Sequence, residues 1–509
     1  MGDKRNDPLS VAHLDGNLKY HTSRSTFVTV ATQVLKFGLQ LLSVTLLSRL
    51  VTPADFGVVA MVTVCLGFFT SFKDGGLSAA TIHQRVLIHS QVSNLFWINV
   101  SVGVVIFLLA AALAPLISFI YEEPDLAKIA IAISSIFIVG GVTVQHEALL
   151  RRQMRFKTLA SIDLTSMALG TTVGIVLGVA GKGYWALVSM PIVTAVVQAI
   201  LCSYASGWSP SWIDRSYDVR PMLRFGFTVT GANLVGYLAS STTTFIIGLV
   251  GGAQQLGLYN RASTLALLPT SQILPPVMNV AQPALARVAN DAPVFAESAL
   301  KLISKMAFFG LSVAVIMQLM ADWIILVFLG EEWSAAIVMF RLLAVFALVE
   351  PLASVIAIIL ISAGKPQVLL KTKVISLIAI IVSAVASFSL GTTAVIAAFA
   401  LSGLLVRTPM FIWLACRNLP FSQGDVYRAI APFLMASLIT LLVGFGIRTL
   451  LRDLPAVQSL ILFTPSIFIT YLVSCFCLAG ARAQVIDTCC IIQRLFRDFF
   501  SKYVARRLG

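Results

Sequence analysis

Apolar runs long enough to cross a bilayer recur from one end of this chain to the other, and no other feature restricts its folding so severely. A hydrocarbon layer of about 30 Å needs roughly 20 apolar residues at 1.5 Å of rise per residue, so each such run reads as a transmembrane helix. The spacing predicts helices over 26–50, 56–80, 92–120, 126–149, 158–181, 183–206 and 222–250, then 260–285, 304–329, 335–362, 366–390, 392–416, 426–450 and 457–480. These fourteen segments, joined by short polar or Gly/Pro turns, use most of the 509 residues and predict an all-α integral membrane protein. Charged residues make up only 11% of the chain, against about 25% in soluble domains, which excludes a water-soluble fold.

Charge then orients the segments. With the N-terminus on the cytoplasmic side, 27 of the 36 Lys and Arg fall in cytoplasmic segments, among them Lys4, Arg5, Lys19, Arg24, Arg151, Arg152, Arg155 and Lys157. The opposite side receives Arg49, Lys128, Lys182, Arg261, Arg448 and Arg452, and Lys36, Arg341 and Arg407 lie inside spans. This bias predicts that both termini are cytoplasmic. It also accounts for most of the net charge of +14 without a nucleic-acid partner, leaving weak attraction to anionic membrane lipid. All seven Trp fall near span ends, where interfacial indoles are expected.

The same reading divides the chain into an N-terminal segment 1–24, a first lobe 25–206, an inter-lobe linker 207–221 and a second lobe 222–416. A further helix pair covers 426–480 and a basic tail 481–509. In the tail Ile492, Leu495, Phe496, Phe499, Phe500, Tyr503 and Val504 recur at helical spacing among basic residues, predicting a membrane-surface helix. The first apolar run starts too late and is too long for a cleaved signal, so Met1 is the expected mature N-terminus. Most of the seven Cys sit in apolar runs, none at a metal-ligand spacing with His, so no disulfide framework, metal site or cofactor is expected.

An internal repeat is legible. Thr52-Pro53-Ala54-Asp55-Phe56-Gly57-Val58-Val59 is echoed 200 residues later by Gly252-Ala253-Gln254-Gln255-Leu256-Gly257-Leu258-Tyr259. Phe119-Ile120-Tyr121-Glu122-Glu123 is echoed by Phe328-Leu329-Gly330-Glu331-Glu332. Six helices per repeat is an even number, so both repeats enter from one side and are related by a pseudo-twofold axis along the membrane normal. The first helix of each repeat carries a polar stripe. Thr29, Gln33, Lys36, Gln40 and Ser43 fall on one face, as do Thr230, Asn233, Tyr237, Ser240 and Thr244. Such stripes either line a hydrated cavity between the repeats or join helices in a dry bundle. Lys36 favours the cavity, because a lysine deep in a bilayer costs about 2.5–3.5 kcal/mol on insertion scales.

Other charges sit inside spans too, and Arg407 is counted with the expected cavity lining. Glu350, before Pro351, is a candidate ion-coupling carboxylate, or else the structural partner of Arg407, which precedes Pro409. Arg341 lies about half a helical rotation from Glu350, so those two are not expected to pair.

Leu47-Ser48-Arg49-Leu50-Val51-Thr52-Pro53-Ala54-Asp55-Phe56-Gly57 resembles the signature of polysaccharide-export flippases of the Wzx type. Asp74-Gly75-Gly76-Leu77, Asn94-Leu95-Phe96-Trp97, Gly183-Tyr184-Trp185-Ala186-Leu187-Val188 and Leu256-Gly257-Leu258-Tyr259-Asn260-Arg261-Ala262, followed by Pro269, Pro275 and Pro283, extend it over roughly 25–420. The branch resembled exports succinoglycan and colanic-acid units, within the multidrug/oligosaccharidyl-lipid/polysaccharide exporter superfamily.

The resemblance implies flipping of an undecaprenyl-diphosphate-linked oligosaccharide across a bacterial inner membrane, ahead of a polysaccharide polymerase and export machinery. Lys36 then suits the diphosphate, and Gln33, Gln40, Asn233, Tyr237 and Ser240 suit sugar hydroxyls. Export of a small amphipathic drug is the alternative within transport. A membrane polymerase or ligase is the alternative among enzymes, but the sequence carries no nucleophile–base constellation and no nucleotide-binding loop.

Overall fold

The computed structural model describes residues 18–73, 87–214, 220–450 and 455–478, with positions 78, 81, 480–482 and 486 besides. The expected tail helix and Asp74-Gly75-Gly76-Leu77 lie outside these residues. Among the described residues the secondary structure is helical, without strands. The chain divides between Asn260 and Arg261 into two compact units.

The first unit opens with α1 (Leu18–Leu50), α2 (Pro53–Lys73), α3 (His89–Tyr121), α4 (Leu126–Arg152), α5 (Phe156–Val179) and α6 (Tyr184–Ser206). It includes the first arm of α7 (Arg220–Arg287), whose helix is broken at Gly252 by a non-helical φ of 65°. The second unit holds α7 from Arg261 onward, then α8 (Ala292–Phe328), α9 (Ala336–Ala344), α10 (Phe346–Ser362), α11 (Pro366–Ser387) and α12 (Thr392–Ser402). A π-helical turn at Gly403–Arg407 leads into α13 (Thr408–Cys416), followed by α14 (Gln423–Leu450) and α15 (Ala456–Cys477). Among the described residues, eleven helices are long and apolar enough to cross a membrane. The chain is therefore a multi-pass membrane protein. The polar-striped α1 and the two arms of α7 are not among the eleven.

In the first unit α1 packs on α5, α5 on α6, and α3 on α4. The signature after α1 builds the start of α2 by elementary helix chemistry. Thr52 is the N-cap, its Oγ1 accepting from the Asp55 amide at 3.3 Å and donating to Asp55 Oδ2 at 2.7 Å, and Pro53 opens the helix without needing a partner for an N–H. Gly57 then lets two backbones touch. A Cβ there would stand 1.6 Å from the Ala253 carbonyl oxygen, and one on Gly257 would stand 1.7 Å from the Pro53 carbonyl oxygen. Positions 57 and 257, and 53 and 253, are equivalent under the 200-residue repeat, so the contact is reciprocal. Small residues at such crossings are what bring helices together in lipid.

Residues 207–214 leave α6 and lie back along α3. Asn94 clamps Asp214 from both sides, donating to its carbonyl at 2.6 Å and accepting from its amide at 2.9 Å. Trp97 donates to the Ser211 carbonyl at 2.9 Å and stacks on Trp212, while Ser93 Oγ accepts from the Ser211 amide at 3.0 Å. Trp208 is buried against Phe96 and His146 and donates to His89 Nδ1 at 3.1 Å.

The second unit is held by bulk instead. Phe295, Ile303, Ile359, Phe411, Phe433 and Tyr471 form a continuous apolar core around α8. Both α14 and α15 pack against α8. Tyr471 donates to the Phe308 carbonyl at 3.1 Å, and Arg448 of α14 pairs with Asp322 of α8 while its guanidinium lies over Trp323. Trp208, Trp323 and Trp333 are thus buried rather than interfacial: nearness to a span end does not separate an indole facing headgroups from one filling a helix crossing.

Candidate functional site

Polar side chains inside the first unit converge where α1, α5 and α6 meet. Lys36 of α1 forms an ion pair with Asp163 of α5 at 2.7 Å. The other carboxylate oxygen accepts from Gln198 Nε2 of α6 at 3.4 Å. Asp163 lies seven residues beyond the start of α5, about 10 Å along the helix from its first residue. The side chains of Lys36 and Asp163 are 30% and 32% exposed, so the protein does not fully enclose the pair.

Sequence reasoning singled out Lys36 and missed Asp163 and Gln198. The missing signal was a carboxylate within the run 158–181, as costly in lipid as the lysine it answers.

Further along α1, Ser43 is buried and donates to Met190 Sδ at 3.7 Å, a helix-joining contact. Gln33 and Gln40 are half-buried on the same helix. The side chains of Thr29, Thr230 and Asn233 lie outside the described residues. Tyr237 donates to the Val64 carbonyl and lies over Gly67, joining the first arm of α7 to α2. Ser240 donates back to the Tyr237 carbonyl at 3.0 Å within its own helix, and Thr244 is half-buried.

In the second unit the in-span charges take another form. Arg407 ends the π-turn, where an extra residue per turn frees backbone carbonyls. It donates to the Phe399 carbonyl at 2.8 Å, with its guanidinium 4.5 Å from the centroid of the Phe399 ring. Thr408 donates to the Gly403 carbonyl at 2.7 Å. Glu350 Oε1 accepts from Ser354 at 3.4 Å. Among the described residues no group of three His, Cys, Asp or Glu side chains is placed to hold a metal ion.

The fold resembles that of "Lipid II flippase MurJ, inward closed conformation", with a TM-score of 0.70 at 14% identity over 89% of this chain and 98% of that one. A multidrug resistance MATE family transporter of the MOP superfamily, inward-facing, gives 0.53 at 16% identity over 79% and 96%. Both likenesses concern the fold, which places this chain among polytopic helical membrane proteins of that architecture. Within that class, the chain belongs to the family described as "Polysaccharide biosynthesis protein", which matches residues 46–338.

Curated relatives agree. The "Lipopolysaccharide biosynthesis protein WzxC" of Escherichia coli (strain K12) is 24% identical over 69% of this chain and 72% of its own length. The "Succinoglycan biosynthesis transport protein ExoT" of Rhizobium meliloti (strain 1021) is 24% identical over 83% and 86%.

Proposed function

We propose that this protein flips undecaprenyl-diphosphate-linked oligosaccharide units from the cytoplasmic to the periplasmic leaflet of a bacterial inner membrane, supplying exopolysaccharide synthesis. The observation that carries the reading is an ammonium group, partly exposed within the apolar helices of a chain from the polysaccharide biosynthesis family. A diphosphate is the membrane-soluble cargo that such a cation suits, and charge-assisted hydrogen bonds to it are about twice as strong as neutral ones. Sugar hydroxyls would be met by Gln33, Gln40, Asn233 and Ser240, with Thr29, Thr230 and Thr244 completing the polar lining.

Transport proceeds by alternating access, as a lobe over 25–206 and a lobe over 222–416 rock about a central site. Both termini lie in the cytoplasm, as the charge bias requires. Glu350 is the coupling carboxylate of this scheme. Glu350→Gln should abolish dependence of export on the ion gradient, and unchanged dependence would assign it to Arg407 as a structural partner. The polysaccharide polymerase and export machinery are the downstream partners.

The deciding experiment is a deletion strain in which the leaflet of the accumulated lipid-linked intermediate is probed from outside. A complete unit stranded on the cytoplasmic face supports the flippase. A complete unit already exposed outside would point to a polymerase or ligase, and unchanged polymer to drug export.

A further inference from the structure

A lysine accessible inside a membrane protein has a competitor problem. The surrounding bilayer presents phosphodiester headgroups, each with one negative charge, in great excess over any carrier lipid. A bare ammonium would be occupied by them. Lys36 is not bare: Asp163 is held against it at 2.7 Å, and Gln198 holds the second carboxylate oxygen. Because Asp163 is fixed on α5, it competes at a high effective concentration. A phosphodiester that displaced it would exchange one negative charge for one, without electrostatic gain. A diphosphate brings at least one charge more, and gains from the exchange.

We infer that Asp163 is a specificity-determining residue, a charge-count filter that withholds Lys36 from bulk phospholipid and yields it to a lipid diphosphate, with Gln198 as its positioning residue. The inference rests on the reading above that the cargo is a lipid diphosphate taken by Lys36. It uses repulsion as well as attraction to discriminate, the general route to specificity when competitors share the recognised group. Geometry supports it twice. The pair is not fully enclosed by protein, as an exchange of partners needs, and the carboxamide meets the carboxylate without neutralising it.

The test uses the full-length protein in nanodiscs. Photoreactive undecaprenyl diphosphate and photoreactive phosphatidylglycerol are crosslinked in parallel, and the ratio of the two adducts is read. Asp163→Asn should raise the phosphatidylglycerol adduct about tenfold relative to the diphosphate adduct, and Asp163→Glu should restore the wild-type ratio. Gln198→Ala should move the ratio in the same direction by about two- to fivefold, as expected for one lost hydrogen bond. A merely structural role would lower both adducts together and leave their ratio alone.

An unchanged ratio in Asp163→Asn overturns the filter while leaving the cargo reading intact. Absence of a diphosphate adduct in the wild type overturns the cargo reading itself. Should Asp163→Asn not fold, Asp163→Glu and Gln198→Ala decide: a wild-type ratio in Gln198→Ala removes the positioning role and the filter with it.

Discussion

The two units treat an intramembrane cation in opposite ways. In the first, Lys36 meets a single carboxylate from another helix and stays partly exposed. In the second, Arg407 is tied to a carbonyl of its own helical run and covered by the ring of Phe399. Lysine is a compact point charge on a flexible stem, suited to changing partners, whereas the planar arginine fork combines hydrogen bonding and stacking in one geometry. On the proposed function, the difference separates a cation that exchanges partners from one that holds a distorted helix together. Substitution of Lys36 should therefore alter transport with stability kept, and substitution of Arg407 or Arg448 should do the reverse.

The largest effect is expected at Lys36. Lys36→Ala should lower polymer export about 10- to 100-fold while membrane insertion is retained, matching loss of a hydrogen-bonded charge. Normal polymer yield from that variant would remove the cation from transport and end the contrast.

Arg448→Met comes next. It leaves Asp322 beside Trp323 without its guanidinium and should lower thermal stability in detergent by about 1–3 kcal/mol, discounted because both side chains are about a quarter exposed. Export per folded molecule should hold.

Arg407→Lys should cost about 1 kcal/mol of stability, since an ammonium cannot both reach the Phe399 carbonyl and stack as the fork does. If export fell with stability unchanged, Arg407 would belong with Lys36 and the contrast would fail. The smallest effect falls to Gln198→Ala, where one hydrogen bond is lost and export should change about two- to fivefold.

Much of this molecule could be read from residue order, and the unread part has a common cause. Helices such as α3, α4 and α6 fall where apolar run length places them, because a bilayer leaves the backbone few alternatives. The 200-residue offset anticipated which glycines are equivalent, though not that they touch. Lys36 was legible as a charge in need of an answer, but Asp163 is 127 residues away, and pairing across that separation depends on which faces of α1 and α5 meet. Tyr237 reads as a cavity residue by its stripe, yet its hydroxyl is taken up by the Val64 carbonyl. Periodicity names a face; it does not name the neighbour. The break within α7 has a plainer sequence signal, since Gly252 adopts a left-handed φ that other residues rarely enter.

The reciprocal approach of Gly57 to Ala253 and of Gly257 to Pro53 has the form of a homodimer interface, where residue i meets j and j meets i. Here both faces belong to one chain. In a true dimer every mutation strikes both sides at once; within one chain each side mutates separately, and a match is kept only where geometry forbids drift. Two glycines, each facing the other's neighbouring carbonyl, are such a place, and there the internal repeat stays legible.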